Sequence, residues 1–355
     1  MIAASTLRKG HELNKRKLTL ATVAGAVLIA VALAGYWFWA AGQVRAAIVQ
    51  WAEAQRAAGY DVTYEGPDIS GFPVRLTVRL DAPGIAAPES WRWSGGAIAG
   101  EAAFWQPLLL RLALPLQQEL TATWRGYERT VRLEAERVDG TVRFDTRGRT
   151  EAATLEATDV TIQEAGGVSV RIARLRHDVS RPPPTAAPLA DGTTHLLLRG
   201  EIDELTLTEA PPAPFPETID RLAYNADLVG AIPSGEPAPA LAAWRDAGGV
   251  LNVTDLVLIW GPLDVRADGT LALDKLLRLQ GAFSARIAGL PEMLDAAVAQ
   301  GLMQPGAAAA LRLAVLTLAD GRDATGRPIV RLPVTLQDGR VFLGPAPLGR
   351  LDPVL

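Results

Sequence analysis

The chain opens with one unbroken apolar run, Leu18 to Ala41, and then changes rhythm to rows in which apolar and polar residues alternate. The run holds 24 residues. As a helix it would reach roughly 36 Å at about 1.5 Å per residue, enough to cross a hydrocarbon core of about 30 Å. A transmembrane helix is therefore predicted over 18–41. Just beyond it, Val44, Ile48, Trp51, Ala52 and Gln55 recur at helical spacing and Gly59 can close the last turn, which predicts a short connector helix from Gln43 to Ala58.

From Tyr60 the period falls to two. Val74, Leu76, Val78 and Leu80 stand against Arg75, Thr77 and Arg79, the pattern of a half-buried strand. Val131, Leu133 and Ala135 face away from Arg132, Glu134 and Glu136, and Val142 and Phe144 resume the apolar row after Asp139-Gly140, so a hairpin with a two-residue turn is predicted there. Similar rows recur at Thr154 to Ile162, Val168 to Leu175, His195 to Leu198, Ile202 to Thr208 and Leu222 to Leu228. The segment GGVLNVTDLVLIWGPLDVRADGTLALD reads as two long strands joined at Gly261-Pro262, and LRLQGAFSARIAG as a third, which makes a meander. A helix follows from Pro291 to Ala299. Another is opened by Pro305, and from Gly306 to Leu318 only Arg312 and Thr317 are polar, so this helix is expected to be buried. Two closing strands, Val330 to Leu336 and Arg340 to Leu343, meet through Asp338-Gly339.

These elements predict an α+β fold, mainly antiparallel β, with one or two large twisted sheets and a few packed helices behind a single N-terminal transmembrane helix. Proline-rich stretches at 180–192, 211–216 and 232–240 interrupt the pattern. The expected organisation is a cytoplasmic basic stub over 1–17, the span over 18–41, an exported β-rich lobe with a membrane-proximal helix over 42–211, and an exported lobe of β-meander plus helices over 212–355.

Charge orients the span. Arg8, Lys9, Lys15, Arg16 and Lys17 precede it against one acid, Glu12, and basic residues are retained on the cytoplasmic side. Tyr36, Trp37, Phe38 and Trp39 close its far end, where amphipathic rings favour the headgroup layer. An apolar stretch this long, ending in bulky rings, differs from the shorter core and small-residue cut site of a cleaved signal peptide. Of 35 basic and 39 acidic residues, those five and that one lie before the span, leaving the part beyond it at −8. Such a surface repels nucleic acid, which is excluded as a partner. The absence of cysteine excludes a disulfide framework and thiolate chemistry.

Chemical motifs are sparse. No nucleophile elbow, HExxH, SxxK, phosphate loop or dinucleotide fingerprint occurs. His177 and His195 have no partner at ligand spacing, and Asp264, Arg266 and Asp268 alternate as a solvated ladder on one strand face. No catalytic, cofactor-binding or metal-ligating residue is assigned, and no cofactor is expected. The residues given a role are those of the membrane anchor: Lys15, Arg16, Lys17, Tyr36, Trp37, Phe38 and Trp39. Trp91 and Trp93 share one face of WRWSGG, with Trp105, Trp124, Trp244 and Trp260 elsewhere. They pack a core, or they line an apolar groove for acyl chains.

The early SGFPVRL, the run GGVLNVTDLVLIWGPLDVRADGTLALD and the ending LQDGRVFLGPAPLGRLDPVL together resemble the domain-of-unknown-function 2125 family of membrane-anchored proteobacterial envelope proteins. In layout, one span followed by a long β-rich part, the chain is also similar to AsmA-like envelope proteins. The resemblance implies a bacterial inner-membrane location with a periplasmic C-terminal domain, and it brings no catalytic residue, substrate or cofactor. Two functions of different class follow as expectations. One is a non-enzymatic envelope protein that binds lipid or other envelope components. The other is a carboxylate-based hydrolase acting on envelope glycans, with a scaffold for partner proteins as a third possibility.

Overall fold

The computed structural model describes residues 3–88, 90–124, 127–165, 167, 169–182, 194–208, 214–233 and 235–354, with backbone alone for 3–21, 26, 124 and 194. The first element, α1, runs from Ala3 to Ala57 as one helix of 55 residues. The connector helix expected over 43–58 is thus continuous with the helix that carries the apolar run. No proline lies inside α1 to break the hydrogen-bond ladder. It stops at Gly59 (φ 94°), where the N–H groups of Gly59 and Tyr60 donate to the carbonyls of Arg56 and Gln55 at 3.0 and 3.1 Å. That is a left-handed glycine closure of the orphan carbonyls. The stretch Thr22–Ala57 is long and apolar enough to cross a membrane.

After α1 the chain is mainly antiparallel β, as expected. Its strands are β1 (Asp61–Ser70), β2 (Arg75–Ala87), β3 (Trp91–Gly95), β4 (Ala97–Ala103), β5 (Gln106–Ala113), β6 (Gln117–Trp124), β7 (Tyr127–Glu134), β8 (Arg137–Phe144), β9 (Thr150–Glu164), β10 (Ser169–Ser180), β11 (Thr194–Leu207) and β12 (Thr218–Val229). Helix α2 (Pro237–Asp246) follows, then β13 (Val250–Trp260), β14 (Leu263–Leu273), β15 (Leu279–Ala288), α3 (Leu290–Ala299), α4 (Pro305–Leu318), β16 (Ala319–Arg322), β17 (Pro328–Gln337), β18 (Arg340–Leu343) and β19 (Ala346–Arg350). All 19 strands belong to one sheet.

The register simplifies this list. β3 and β4 pair with successive halves of β2 in one register, and β7 and β8 with successive halves of β9 in one register as far as Arg143, after which it shifts. β5 and β6 likewise continue one another. Each such pair is a single long strand with a bend, so the sheet is a meander in which rows lie beside their neighbours in sequence, except that β15 pairs with β17 across the intervening α3, α4 and β16. The hairpin expected between 131 and 144 is corrected accordingly. Asp139 and Gly140 lie inside β8, opposite Glu156 and Leu155, and both arms of the expected hairpin pair with β9.

The bends align into a crease across adjacent rows. It passes through Ala82, Gly96, the Leu114–Leu116 link, Ala135 and Glu136, Asp159 and Glu204. Ala82, Asp159 and Glu204 adopt positive φ (45°, 48° and 54°), which L-residues seldom do inside strands. Hydrogen bonds continue through the crease, from Ala82 N to Gly96 O at 2.7 Å and from Leu114 N to Val138 O at 2.9 Å. One extra residue per strand resets the alternation there, and the apolar residues stay on one face on both sides of the bend. In β9, Leu155 and Ala157 precede the bulge and Val160 and Ile162 follow it.

β11 and β12 pair from Thr206–Thr218 to Thr194–Val229, so the sheet continues across position 212. The meander of β13, β14 and β15 stands as expected, with its first turn at Gly261-Pro262. Asp338 and Gly339 form the β17–β18 turn with positive φ at both residues. Helix α2, where a proline-rich connection was expected, starts on that proline run. Helix α4 is corrected: only Ala308 among its residues is buried, while Leu311, Leu313, Leu316 and Leu318 are exposed. Its near-continuous apolar sequence therefore does not sit across a sheet face.

Candidate functional site

The register pairs define two transverse rows on opposite faces of the sheet. On one face, directly opposed residues follow one another from β2 to β18: Leu76, Ala102, Leu110, Val142, Ala153, Val179, Leu198, Ala226, Val253, Gly269, Phe283, Val334 and Leu343. Every member is apolar. On the other face the chain of opposed residues is Ser70, Thr77, Glu101, Arg111, Thr141, Thr154, Asp178, Arg199, Asn225 and Asp255, all polar. At about 4.8 Å between neighbouring strands, the 13 apolar positions span roughly 58 Å.

Among the described residues, little covers the apolar face. Trp244 of α2 packs on Leu228 and Leu273 near one end of the strands, its indole N–H donating to Val229 O at 2.9 Å. Leu290 of α3 joins the cluster around Ala285 and Ile287. Helix α1 lies on β1, and α4 reaches β17. The face itself is mostly half-buried, held by lateral contacts within the sheet, and Leu120 on it is 43% exposed. The whole chain exposes 22541 Å², against roughly 13,800 Å² for a compact monomer of this mass.

The second apolar row, one pleat along, carries the face's polar exception. His177 lies opposite Gly200, and Gly200 opposite Tyr224. A side chain at 200 would strike the Tyr224 ring, so the glycine lets that ring lie flat across its strand. The Tyr224 hydroxyl then meets His177 Nδ1 at 3.1 Å, which satisfies both polar tips. Burial pushes the Tyr224 phenol above its ordinary range. His195 is exposed.

On the polar face Arg176 bridges Asp178 and Glu156, Arg174 meets Asp203 at 3.3 Å, and Arg132 meets Glu119 at 3.0 Å. Asp264 and Arg266, read from sequence as part of a solvated ladder, pair at 3.3 Å. Three turns repeat one device that the sequence reading missed: an aspartate with an arginine four residues later. In Asp145–Arg149, Asp274–Arg278 and Asp323–Arg327 one carboxylate oxygen accepts backbone N–H groups at i+2 and i+4, and the other accepts the arginine Nε at 2.7–2.8 Å. The spacing D-x-x-[GL]-R was legible as a turn signal.

These contacts lower the carboxyl pKa values. The Arg149 backbone N–H holds Asp145 down, the Arg176 guanidinium holds Asp178 down, and the Thr325 hydroxyl leads at Asp323. At Asp274 partial burial pushes upward, and the Arg278 N–H and guanidinium outweigh it. A glycosidase's acid needs the opposite shift. Among the described residues no group of three or more His, Cys, Asp or Glu could hold a metal ion.

The anchor residues separate. Lys15, Arg16 and Lys17 lie in α1, where backbone alone is described. Tyr36, Phe38 and Trp39 are exposed, while Trp37 is buried and its indole N–H donates to Arg75 O at 2.7 Å. The far end of the apolar run is thereby tied to the start of β2. A model of the family described as "Uncharacterized protein conserved in bacteria (DUF2125)" matches residues 37–352. The chain belongs to the DUF2125 family. The family match begins at this docked tryptophan, so the DUF2125 unit comprises the last turns of α1 together with the entire sheet. No curated protein and no solved structure matches the chain.

Proposed function

We propose that this DUF2125 protein is held in the bacterial inner membrane by α1, N-terminus in the cytoplasm, and that its periplasmic sheet binds lipid acyl chains along the uncovered apolar face. The carrying observation is the unbroken row from Leu76 to Leu343, with no second layer across it among the described residues. Each methylene that moves from water onto such a surface contributes about 0.8 kcal/mol. A chain of a dozen or more methylenes therefore supplies ample binding energy with no polar contact. Retention of α1 is supported by its docking: Ala52 is fully buried and Trp37 is hydrogen-bonded to β2. A cleavage beyond the span would remove Trp37 from that contact. The hydrolase reading loses support because all four shifted carboxyls move away from the proton-donating range.

A photo-crosslinking amino acid at Leu198 or Leu112, in full-length protein extracted with its native membrane, tests the reading. Lipid adducts at these positions and none at Arg199 on the opposite face are expected. Equal labelling of both faces, or no lipid adduct at either apolar position, overturns it.

A further inference from the structure

Helix α1 passes along β1 in the opposite direction. At one end the Arg56 guanidinium donates to Val62 O at 3.1 and 2.6 Å, and at the other the Trp37 indole donates to Arg75 O at 2.7 Å. The helix rises about 28 Å between those two residues. The ten residues of β1 cover about 33 Å, so helix and strand run side by side over nearly equal length. The β1–β2 turn is consequently level with Tyr36–Trp39, the end of the apolar run. Ring contacts confirm the level: Trp37 and Phe38 meet Phe72 at 5.7 and 6.1 Å, and Tyr36 meets Phe104 at 5.1 Å.

Two tips thus flank the helix where it leaves the apolar stretch, the β1–β2 turn at 71–74 (GFPV) and the β4–β5 turn with the first residues of β5 at 104–108 (FWQPL), and neither contains an acidic residue. Their large apolar side chains point outward, with Phe72 54% and Trp105 63% exposed, alongside Val74 and Leu108. Exposed aromatic and aliphatic residues at turn tips are costly in water and favourable in the headgroup–acyl boundary. We propose that the β1–β2 and β4–β5 turns seat Phe72, Val74, Trp105 and Leu108 in the outer boundary of the bilayer that α1 crosses, as a second membrane contact beside the helix. The proposal rests on α1 being a retained span and is independent of lipid on the sheet. It stands the first strands upright on the membrane. The first members of the apolar row, Leu76, Ala102 and Leu110, then lie directly behind the immersed turns.

The chain has no cysteine, so single-cysteine variants carry one label each. Phe72→Cys and Leu108→Cys, spin-labelled in the full chain and reconstituted in phosphatidylcholine–phosphatidylglycerol vesicles, would be compared with Leu348→Cys on β19. Immersion of several ångströms lowers accessibility to a water-soluble nickel chelate by about threefold or more at 72 and 108 relative to 348, and raises accessibility to oxygen. Equal nickel accessibility at all three positions overturns the proposal, as does equal shielding of all three, which would lay the whole sheet on the surface. Should the cysteine variants misfold, Trp105→Phe supplies a second readout: brominated lipid should quench less of the total tryptophan fluorescence in this variant than in the parent. An unchanged quenched fraction overturns the proposal. Lipid adducts at Leu198 report on the acyl-chain reading alone, so the two can fail separately.

Discussion

The row through Leu198 and the row through Arg199 cross the same strands from β2 to β13, one residue apart on each except β13, where Val253 and Asp255 are two apart. One contains no polar side chain and the other no apolar one. In an ordinary sandwich the apolar row would be sealed by a second sheet. Here, among the described residues, it is left to lateral contacts and a few short helices, so one face is satisfied by water and the other is the one proposed to take an apolar occupant.

The strongest way to break the contrast is to charge the apolar face where it is most enclosed. Val160→Asp places a carboxylate among Val138, Ala157 and Ile172, where burial without a partner should cost more than about 3 kcal/mol or prevent folding, as read by chemical denaturation. On the more open part of the same face, Leu112→Ser should cost only about 1 to 2 kcal/mol while markedly reducing lipid adducts at Leu198. A large stability loss with adducts intact would mean that the face is a sealed core. At the crease the sign reverses. Asp159→Gly should leave the protein unchanged or more stable by about 0.5 to 1 kcal/mol, because glycine accepts the positive φ that aspartate resists, whereas glycine at Thr158 should destabilise.

The turn aspartates give an acid limb. Their folded pKa values lie below those of the unfolded chain, so their stabilising effect is complete above about pH 4 and fades as the pH falls through the folded values. A pH titration of thermal stability should be flat from 7 to about 4 and decline below, with a weaker decline in Asp274→Asn. Smallest of all, Arg174→Ala on the polar face should change stability by less than about 0.5 kcal/mol, since its pair with Asp203 is largely solvated.

The second half of the sheet was legible because β14 and β15 keep strict alternation from end to end, as Leu263, Val265 and Ala267 show. The first half was misread at the crease. An added residue at Ala135–Glu136 shifts the apolar phase in the way a turn does, so one bent strand looked like a hairpin closed by Asp139-Gly140. The break at Arg199-Gly200-Glu201 split β11 into two expected strands, and the shift near Glu204 lay inside the second of them. Periodicity records which face a side chain takes, and a bulge and a turn both reset it. Helix α4 was misjudged for another reason. A run such as Ala307–Leu316 says that a helix is apolar all round but not that anything lies against it. Of the candidate site, the apolar rows and the apolar run that becomes part of α1 were visible. The uncovered face was not, since coverage is a property of the other elements.

Because nearly every row pairs with its neighbour in sequence, few strands must wait for a distant part of the chain, although β15 meets β17 only after α3, α4 and β16 have been made. If α1 is the retained span proposed above, an emerging polypeptide could lay down β1 against that helix and then add rows one at a time, with mostly short loop closures and a longer one between β15 and β17. The growing edge would be exposed only until the next strand emerged. At completion one edge is guarded by α1 and the other ends in β19, five residues that include Pro347 and Arg350, a poor template for any further strand.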